Sequence, residues 1–288
     1  MPDTLPSVFR RGASVLVEHP LVNAFVQGKT AKFQMKKKRF HAKDASYCIR
    51  KSVMLCNVDE TIMANGTASS ALYTSIGTAF HETICDGFEK FGIMRLKEMR
   101  MDEMGLNIGG YIDAILEPTE GDLRVCEIKS CGQLPGAPKQ DHVAQAVIYA
   151  LSTGLKHPIL FYASRSVATY NGTVLLKEFE VPTSDEVLYE MAFNISAGHF
   201  YLEEKLAPAI PSHLSKSLCH YCPLLPICWE DSPNFMKEAS EDIEAMKRVL
   251  AKAERHADFL METFGERKIK TEKAVNDAQK LNADKGSK

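Results

Sequence analysis

An α/β fold, a small mixed β-sheet flanked by helices, is what this sequence predicts, and three observations point to it. Stretches with apolar residues at helical spacing alternate with stretches that alternate at every second residue. They follow one another in the order helix, hairpin, helix, strands, helix. A chain of 288 residues, 45% hydrophobic and 25% charged, also has enough apolar surface to bury a substantial core. The same composition excludes a disordered or fibrous chain. No apolar run approaches the roughly 18 residues of a membrane span, and Met1–Arg11 lacks the basic-then-apolar order of a secretory signal. A cytoplasmic protein with no membrane partner is therefore expected.

The first helix is expected from Gly77. Phe80, Ile84, Phe88 and Phe91 recur at spacings of four, four and three, with Thr78 as the N-cap, Gly92 as the stop and His81 at the edge of the apolar stripe. Next, Gly110 to Glu117 and Leu123 to Ser130 read as a hairpin, joined by a connection rich in turn formers, Pro118 to Asp122. Tyr111, Asp113 and Ile115 share one face of the first strand; Leu123, Val125, Glu127 and Lys129 share one face of the second. A five-residue connection sets Glu117 opposite Leu123 and, counting back, Asp113 opposite Glu127. A slip of one residue would send the two acids to opposite faces.

A helix from about Asp141 to Thr153, ended by Gly154, follows. It carries His142, Gln145 and Tyr149 on one face and Val143, Val147, Ala150 and Leu151 on its apolar side. Ile159 to Ser164 and Thr173 to Val181 read as strands joined by a loop containing Asn171-Gly172, and residues Asp185 to Lys205 as an amphipathic helix on Leu188, Met191, Ile195 and Leu202. Pro208, Pro211, Pro223 and Pro226 preclude regular structure around Cys219, Cys222 and Cys228. Last comes a helical tail with Ile243, Met246, Leu250, Ala253, Ala257, Leu260 and Phe264 in a heptad-like seam closed by Gly265. Packing on its own domain is the favoured role for that seam, over a partner helix or a homo-oligomer, and residues after about Thr271 are expected to fray. The resulting division is a basic N-terminal segment over 1–45, a core over 46–230 and a helical tail over 231–288.

Charge is unevenly spread. Residues 29–51 hold nine Lys or Arg (Lys29, Lys32, Lys36, Lys37, Lys38, Arg39, Lys43, Arg50, Lys51) against Asp44, on a chain whose net charge is -2. A basic segment on an otherwise acidic protein suits a polyanion, although such runs are commonly just solvated.

Asp113, Glu127 and Lys129 form the candidate catalytic group. Two carboxylates facing each other on adjacent strands repel, and a divalent cation removes the conflict; oxygen ligands of this kind suit Mg²⁺ or Mn²⁺, which also accept phosphate oxygens. Lys129, two residues beyond Glu127 on the same face, can hold or help deprotonate a water at such an ion. The combination reads as metal-assisted phosphodiester hydrolysis. Glu-x-Lys alone is common, but the flanking Val125-Cys126 and Ile128 mark a covered strand, where charges are seldom placed idly.

In a reducing compartment eight cysteines suggest metal or cluster ligation in place of disulfides. Cys219-x2-Cys222-x5-Cys228 supplies three closely spaced thiolates, and a fourth must come from Cys48, Cys56, Cys85, Cys126 or Cys131.

Gly77-Thr78-Ala79-Phe80-His81, Gly110-Tyr111-Ile112-Asp113, Glu127-Ile128-Lys129 and Gln145-Ala146-Val147-Ile148-Tyr149 together resemble the ordered motif series of the PD-(D/E)XK nucleases, specifically the RecB-type exonuclease branch. The resemblance spans about residues 46 to 230. It implies a restriction-endonuclease-like core in which His81, Asp113, Glu127 and the backbone carbonyl of Ile128 are metal ligands. It makes Lys129 the water-activating residue, and Gln145 and Tyr149 DNA or active-site contacts. Nucleases of this branch of the AddB type and the CRISPR-associated Cas-four type carry a four-cysteine iron-sulfur module, one Cys upstream of the core and three downstream. Cys48-Ile49-Arg50-Lys51 resembles the upstream element, so the resemblance implies a [4Fe-4S] cluster on Cys48, Cys219, Cys222 and Cys228, with zinc as runner-up at the same thiolates. It would hold Arg50 and Lys51 near the mouth of the active site, within reach of phosphates. The expected activity is that of a Mg²⁺- or Mn²⁺-dependent deoxyribonuclease acting on single-stranded DNA or DNA ends, in a CRISPR-associated or viral setting or in repair. The alternative is a non-catalytic four-cysteine zinc protein that binds DNA as an adaptor.

Overall fold

Chain order and sheet order coincide in the central five-stranded sheet: β1 (Met94–Arg100), β2 (Tyr111–Leu116), β3 (Arg124–Cys131), β4 (Ile159–Ser164) and β5 (Leu176–Glu180) lie side by side in that sequence. The computed structural model describes residues 32–34, 36–58, 63–65, 68–101, 106–165, 176–210, 219, 222, 224, 225, 228 and 236–286. All neighbours are antiparallel except β3 and β4, which run parallel. A parallel pair needs a crossover, and helix α4 (Gln140–Thr153) supplies it. Before the sheet come α1 (Ala42–Tyr47), α2 (Ile49–Asn57) and α3 (Ala68–Phe91); after it come α5 (Asp185–Glu203), α6 (Ile243–Glu262) and α7 (Phe264–Gly286). The protein is thus mixed α/β, with a mixed sheet flanked by helices.

Alternation along the strands builds the layers. Ile115, Val125, Leu160 and Tyr162 point into the main core, shared with Ile148 and Leu151 of α4 and Leu188 and Ile195 of α5. Ala114, Leu116, Cys126, Ile128 and Ile159 point the other way and pack under Ile84, Cys85 and Phe88 of α3. The sheet is covered on both faces, which is why the centre of β3 is apolar except at Glu127 and Lys129. The main core runs from Phe40 to Val275 and so draws on all three segments of the expected division.

Helix α4 ends as expected, with Gly154 in the left-handed conformation at φ 72°, and α5 is capped by Ser184, whose hydroxyl accepts from the Val187 amide. Two boundaries differ. Helix α3 begins at Ala68, well before Gly77, and Thr78 lies mid-helix with its hydroxyl bonded to the Thr74 carbonyl at 3.1 Å instead of capping an end. Its N-terminal half has Leu72 and Tyr73 exposed, so no apolar period betrays it. The tail does not fray at Thr271: α7 continues to Gly286, and Thr271 and Val275 are buried. Polar side chains mask this helix because it uses them inward, as the hydrogen bonds of Arg267 and Thr271 to α4 show. The seam of α6 faces α5 through Ala245, Val249, Ala253, Ala257 and Leu260, while Ile243 and Leu250 are exposed, a face rotated from the heptad expectation. The N-terminal stretch 1–31, including Lys29, and the Asn171-Gly172 loop lie outside the described residues.

Candidate active site

The ladder between β2 and β3 pairs Ala114, Ile115 and Leu116 with Cys126, Val125 and Arg124. Extended by one step, this register sets Asp113 level with Glu127, and by one step the other way Glu117 level with Leu123, as the hairpin length predicts. The ladder stops at Ala114, however, and the next position is where the chemistry gathers. Asp113 turns its carboxylate into the gap between the strands, where Oδ2 accepts the Ile128 amide at 2.7 Å. On the α3 side, His81 Nε2 lies 3.4 Å from Asp113 Oδ1. Opening the ladder is what lets a histidine from one layer meet side chains from the other.

Glu127 is buried to 3% exposure. Its Oε1 accepts from Lys129 Nζ; its Oε2 is buried and, among the described residues, has no partner in hydrogen-bonding geometry, although Asp113 and the Tyr149 hydroxyl are close enough to act on the carboxyl. Lys129 Nζ also donates to Gln145 Oε1 at 3.0 Å. Gln145 Nε2 in turn donates to the Tyr149 hydroxyl at 2.6 Å, and that hydroxyl donates to the Tyr111 carbonyl at 3.0 Å. Because Gln145 and Tyr149 are one turn apart on α4 and that helix lies under the sheet, the two act as a strut between the β2 backbone and the lysine. The Tyr111 carbonyl end of this strut has no side-chain signature.

Electrostatics follow from the burial. The Glu127 carboxyl is pushed well above the usual range, first by burial and then by the Asp113 charge, with Lys129 opposing. Tyr149 is raised far above the usual phenol value by burial and by Glu127 and Asp113. The His81 imidazole is raised to about 10, chiefly by its contact with Asp113, with Cys85 at 3.9 Å adding to it. On the α4 side His142 is pushed down to about 4, by burial and then by the Lys129 charge, with Lys139 and Lys43 acting the same way. The site is therefore a covered pair of acids, Glu127 facing Lys129 and Asp113 facing the His81 imidazole, with further cations gathered at its rim.

A buried, unpartnered carboxylate oxygen beside a second carboxylate is the donor set a hard divalent cation fits. His81, Asp113, Glu127 and the Ile128 strand are brought to one place. Among the described residues, no three His, Cys, Asp or Glu side chains are closed at metal-ligating distances.

Four of the cysteines are brought together elsewhere. Cys48, Cys219, Cys222 and Cys228 line one cavity with Tyr47, Met54 and Leu224. Cys48 caps α2, where its sulfur accepts the Lys51 amide at 3.4 Å, and the Arg50 Nε donates to Cys228 Sγ at 3.3 Å. Amide and guanidinium donors aimed at two of the sulfurs, those of Cys48 and Cys228, are of the kind that favours thiolates. Burial raises the Cys48 thiol to about 11. Cys56 lies at the far end of α2 and packs on the main core, and Cys85 and Cys126 are buried in the α3 layer.

Arg50 and Lys51 do not stand ready for phosphate, contrary to expectation. Arg50 is buried; it grips Glu238 through both terminal nitrogens, at 2.8 and 2.5 Å, and the Pro208 carbonyl at 2.5 Å. Lys51 pairs with Asp44 at 2.5 Å. A guanidinium too buried to reach solvent ties α2 to the segment after the cysteines.

No protein family matches this chain, and no curated protein matches it. Among solved structures, one described as the crystal structure of SSO0001 is similar at 18% identity and a TM-score of 0.41, covering 67% of this chain and 87% of that one. That likeness is too distant to carry an argument about fold or function.

Proposed function

We propose that this protein is a metal-dependent DNA exonuclease with a PD-(D/E)XK core, which hydrolyses phosphodiester bonds in single-stranded DNA or at DNA ends and carries a structural [4Fe-4S] cluster on Cys48, Cys219, Cys222 and Cys228. One observation carries the reading: Glu127, buried with one oxygen unpartnered, stands level with Asp113 and shares its other oxygen with Lys129.

A Mg²⁺ or Mn²⁺ ion held by Asp113, Glu127, His81 and the Ile128 carbonyl would polarise the scissile phosphate and make a neighbouring water more acidic. Lys129 Nζ, fixed by Glu127 and Gln145, is placed to orient that water and to offset the negative charge that develops at the phosphate. Gln145 and Tyr149 keep the amine from swinging toward solvent. The Asp113 side chain is fixed from behind by the Ile128 amide, which lowers the cost of ordering it for binding.

End-labelled single-stranded DNA incubated with Mn²⁺ should be shortened by the unaltered protein, and Asp113→Ala and Glu127→Ala should leave it intact while retaining the native circular dichroism spectrum. An inert unaltered protein, anaerobically purified and with its iron in place, would overturn the proposal. For the four cysteines, Cys48→Ala is expected to lose iron and thermal stability together, whereas Cys56→Ala keeps both. Iron content and a melting curve on the same anaerobic samples decide it, and a colourless preparation with zinc bound would replace the cluster with a tetrahedral zinc site.

A further inference from the structure

Helix α3 runs past the active site in a way the catalytic group does not use. Its residues His81, Gly77 and Tyr73 stand at intervals of four, on one face, and meet in turn Asp113, Ser130 and Arg165. A Cβ on Gly77 would lie 3.5 Å from the Ser130 hydroxyl, and the Arg165 guanidinium sits 4.9 Å from the centre of the Tyr73 ring. From His81 to Tyr73 this face covers about 12 Å. Arg165 follows directly on β4, and its amide donates to the Cys131 carbonyl at 2.6 Å, two residues beyond Lys129. The face therefore leads from the carboxylates, past the end of β3, to an aromatic ring backed by a cation.

The chemistry of that end is specific. Tyr73 is 58% exposed although it is large and partly apolar. Lys139, at the start of α4, and Lys43 of α1 are exposed, and the charge of both is felt at His142 of α4, as is that of Lys129. Lys139 and Arg165 together act on Cys131. Exposed cations beside an exposed ring bind phosphates and stack a base, whereas duplex DNA hides its base faces. Gly77, where even a Cβ would touch the Ser130 hydroxyl, lets α3 lie close on the end of β3, so the open surface begins beyond it, at Tyr73 and Arg165.

We infer that the surface beyond the ends of β3 and β4, formed by Tyr73 of α3 with Arg165, Lys139 and Lys43, is a track for single-stranded DNA in which a base stacks on Tyr73 and the backbone lies against the three cations. The inference deepens the nuclease reading and rests on it for the identity of the ligand. Binding is read without catalysis, so the two stand or fall separately.

Fluorescence anisotropy of labelled oligo(dT) in EDTA tests it. Tyr73→Ala should weaken binding about tenfold, and Tyr73→Phe should bind as the unaltered protein does. The Lys43→Ala/Lys139→Ala pair should make the slope of log K against log salt shallower by about 1.4. Each of these side chains is exposed, and a melting curve on every variant excludes unfolding as the cause. Tyr73→Ala binding oligo(dT) as tightly as the unaltered protein would overturn the track. So would a loss as large for blunt duplex as for the single strand. If Lys129→Met keeps full nuclease activity while Tyr73→Ala loses oligo(dT) binding, the track stands and the catalytic reading falls. If Lys129→Met is inactive while Tyr73→Ala binds normally, the catalytic reading stands and the track falls.

Discussion

Lys129→Met should lower the rate of Mn²⁺-dependent DNA hydrolysis about 1,000-fold, roughly 4 kcal/mol of barrier, in a protein that remains folded. Methionine keeps most of the hydrocarbon, so the packing between β3 and α4 survives and the loss isolates the amine. Three effects add. The water loses its positioning group, Glu127 Oε1 loses its donor, and Glu127, already raised by burial and by Asp113, is left with no compensating charge from Lys129. That last effect separates the variants. Gln145→Ala removes only one of the two acceptors that hold the amine, so its rate should fall by about tenfold to a hundredfold and its apparent affinity for Mn²⁺ should be little changed. Lys129→Met should lose rate and, because Glu127 then protonates more readily, also bind Mn²⁺ more weakly. Measuring initial rates over a Mn²⁺ titration checks both. Full activity in Lys129→Met, with contaminating nucleases excluded by an Asp113→Ala preparation, would remove the hydrolytic mechanism.

How much of this could be read from the residues depends on where each one gets its information. The Asp113–Glu127 register was legible because a five-residue connection and a period of two leave one solution, and burial of one face enforces it. Gln145 and Tyr149 were legible as a pair on one helical face, but that they brace Lys129 was not, since the bracing depends on how α4 crosses the sheet. Arg50 misled for the opposite reason. In sequence it is one cation in a basic run, and only the fold supplies Glu238, 188 residues away, to bury it. Lys139 and Arg165 were invisible as a group: neither lies in a charge-rich stretch, and what joins them is the shared end of a parallel strand pair. Local pattern carries elements and faces, whereas contacts between distant segments need the crossover that α4 makes.

The tail gives the sharpest case, and it sets up the second large effect. The last turn of α4 ends with carbonyls that have no partner within the helix, as every helix does. Gly154 N–H takes the Ala150 carbonyl at 2.9 Å; Arg267 from α7 takes the Leu151 carbonyl at 2.7 Å; Thr271 takes the Thr153 carbonyl at 2.9 Å. A guanidinium at a helix C-terminus also opposes the negative end of the dipole. The polar residues that read as a frayed tail are thus the cap of the helix that carries Gln145 and Tyr149. For Arg267 to reach in, the start of α7 must pass against the α4 backbone, and it does so at Gly154. A Cβ there would lie 2.4 Å from the Lys268 nitrogen and 2.5 Å from the Phe264 oxygen. Both are main-chain atoms, so no side chain can swing aside, and φ of 72° is costly for any residue with a Cβ. Gly154→Ala is therefore expected to destabilise the protein by about 4 kcal/mol, the sum of about 1 kcal/mol of backbone strain and the displacement of α7 with its two caps. Gly154→Asn discriminates the causes, because asparagine tolerates the left-handed conformation but still carries a Cβ. If the close approach dominates, both variants unfold at similarly low urea; if conformation alone matters, Asn recovers most of the midpoint. Retention of the unaltered urea midpoint by Gly154→Ala would mean that α7 does not lie on α4, and that the carbonyl end of the helix holding Gln145 and Tyr149 is open to water.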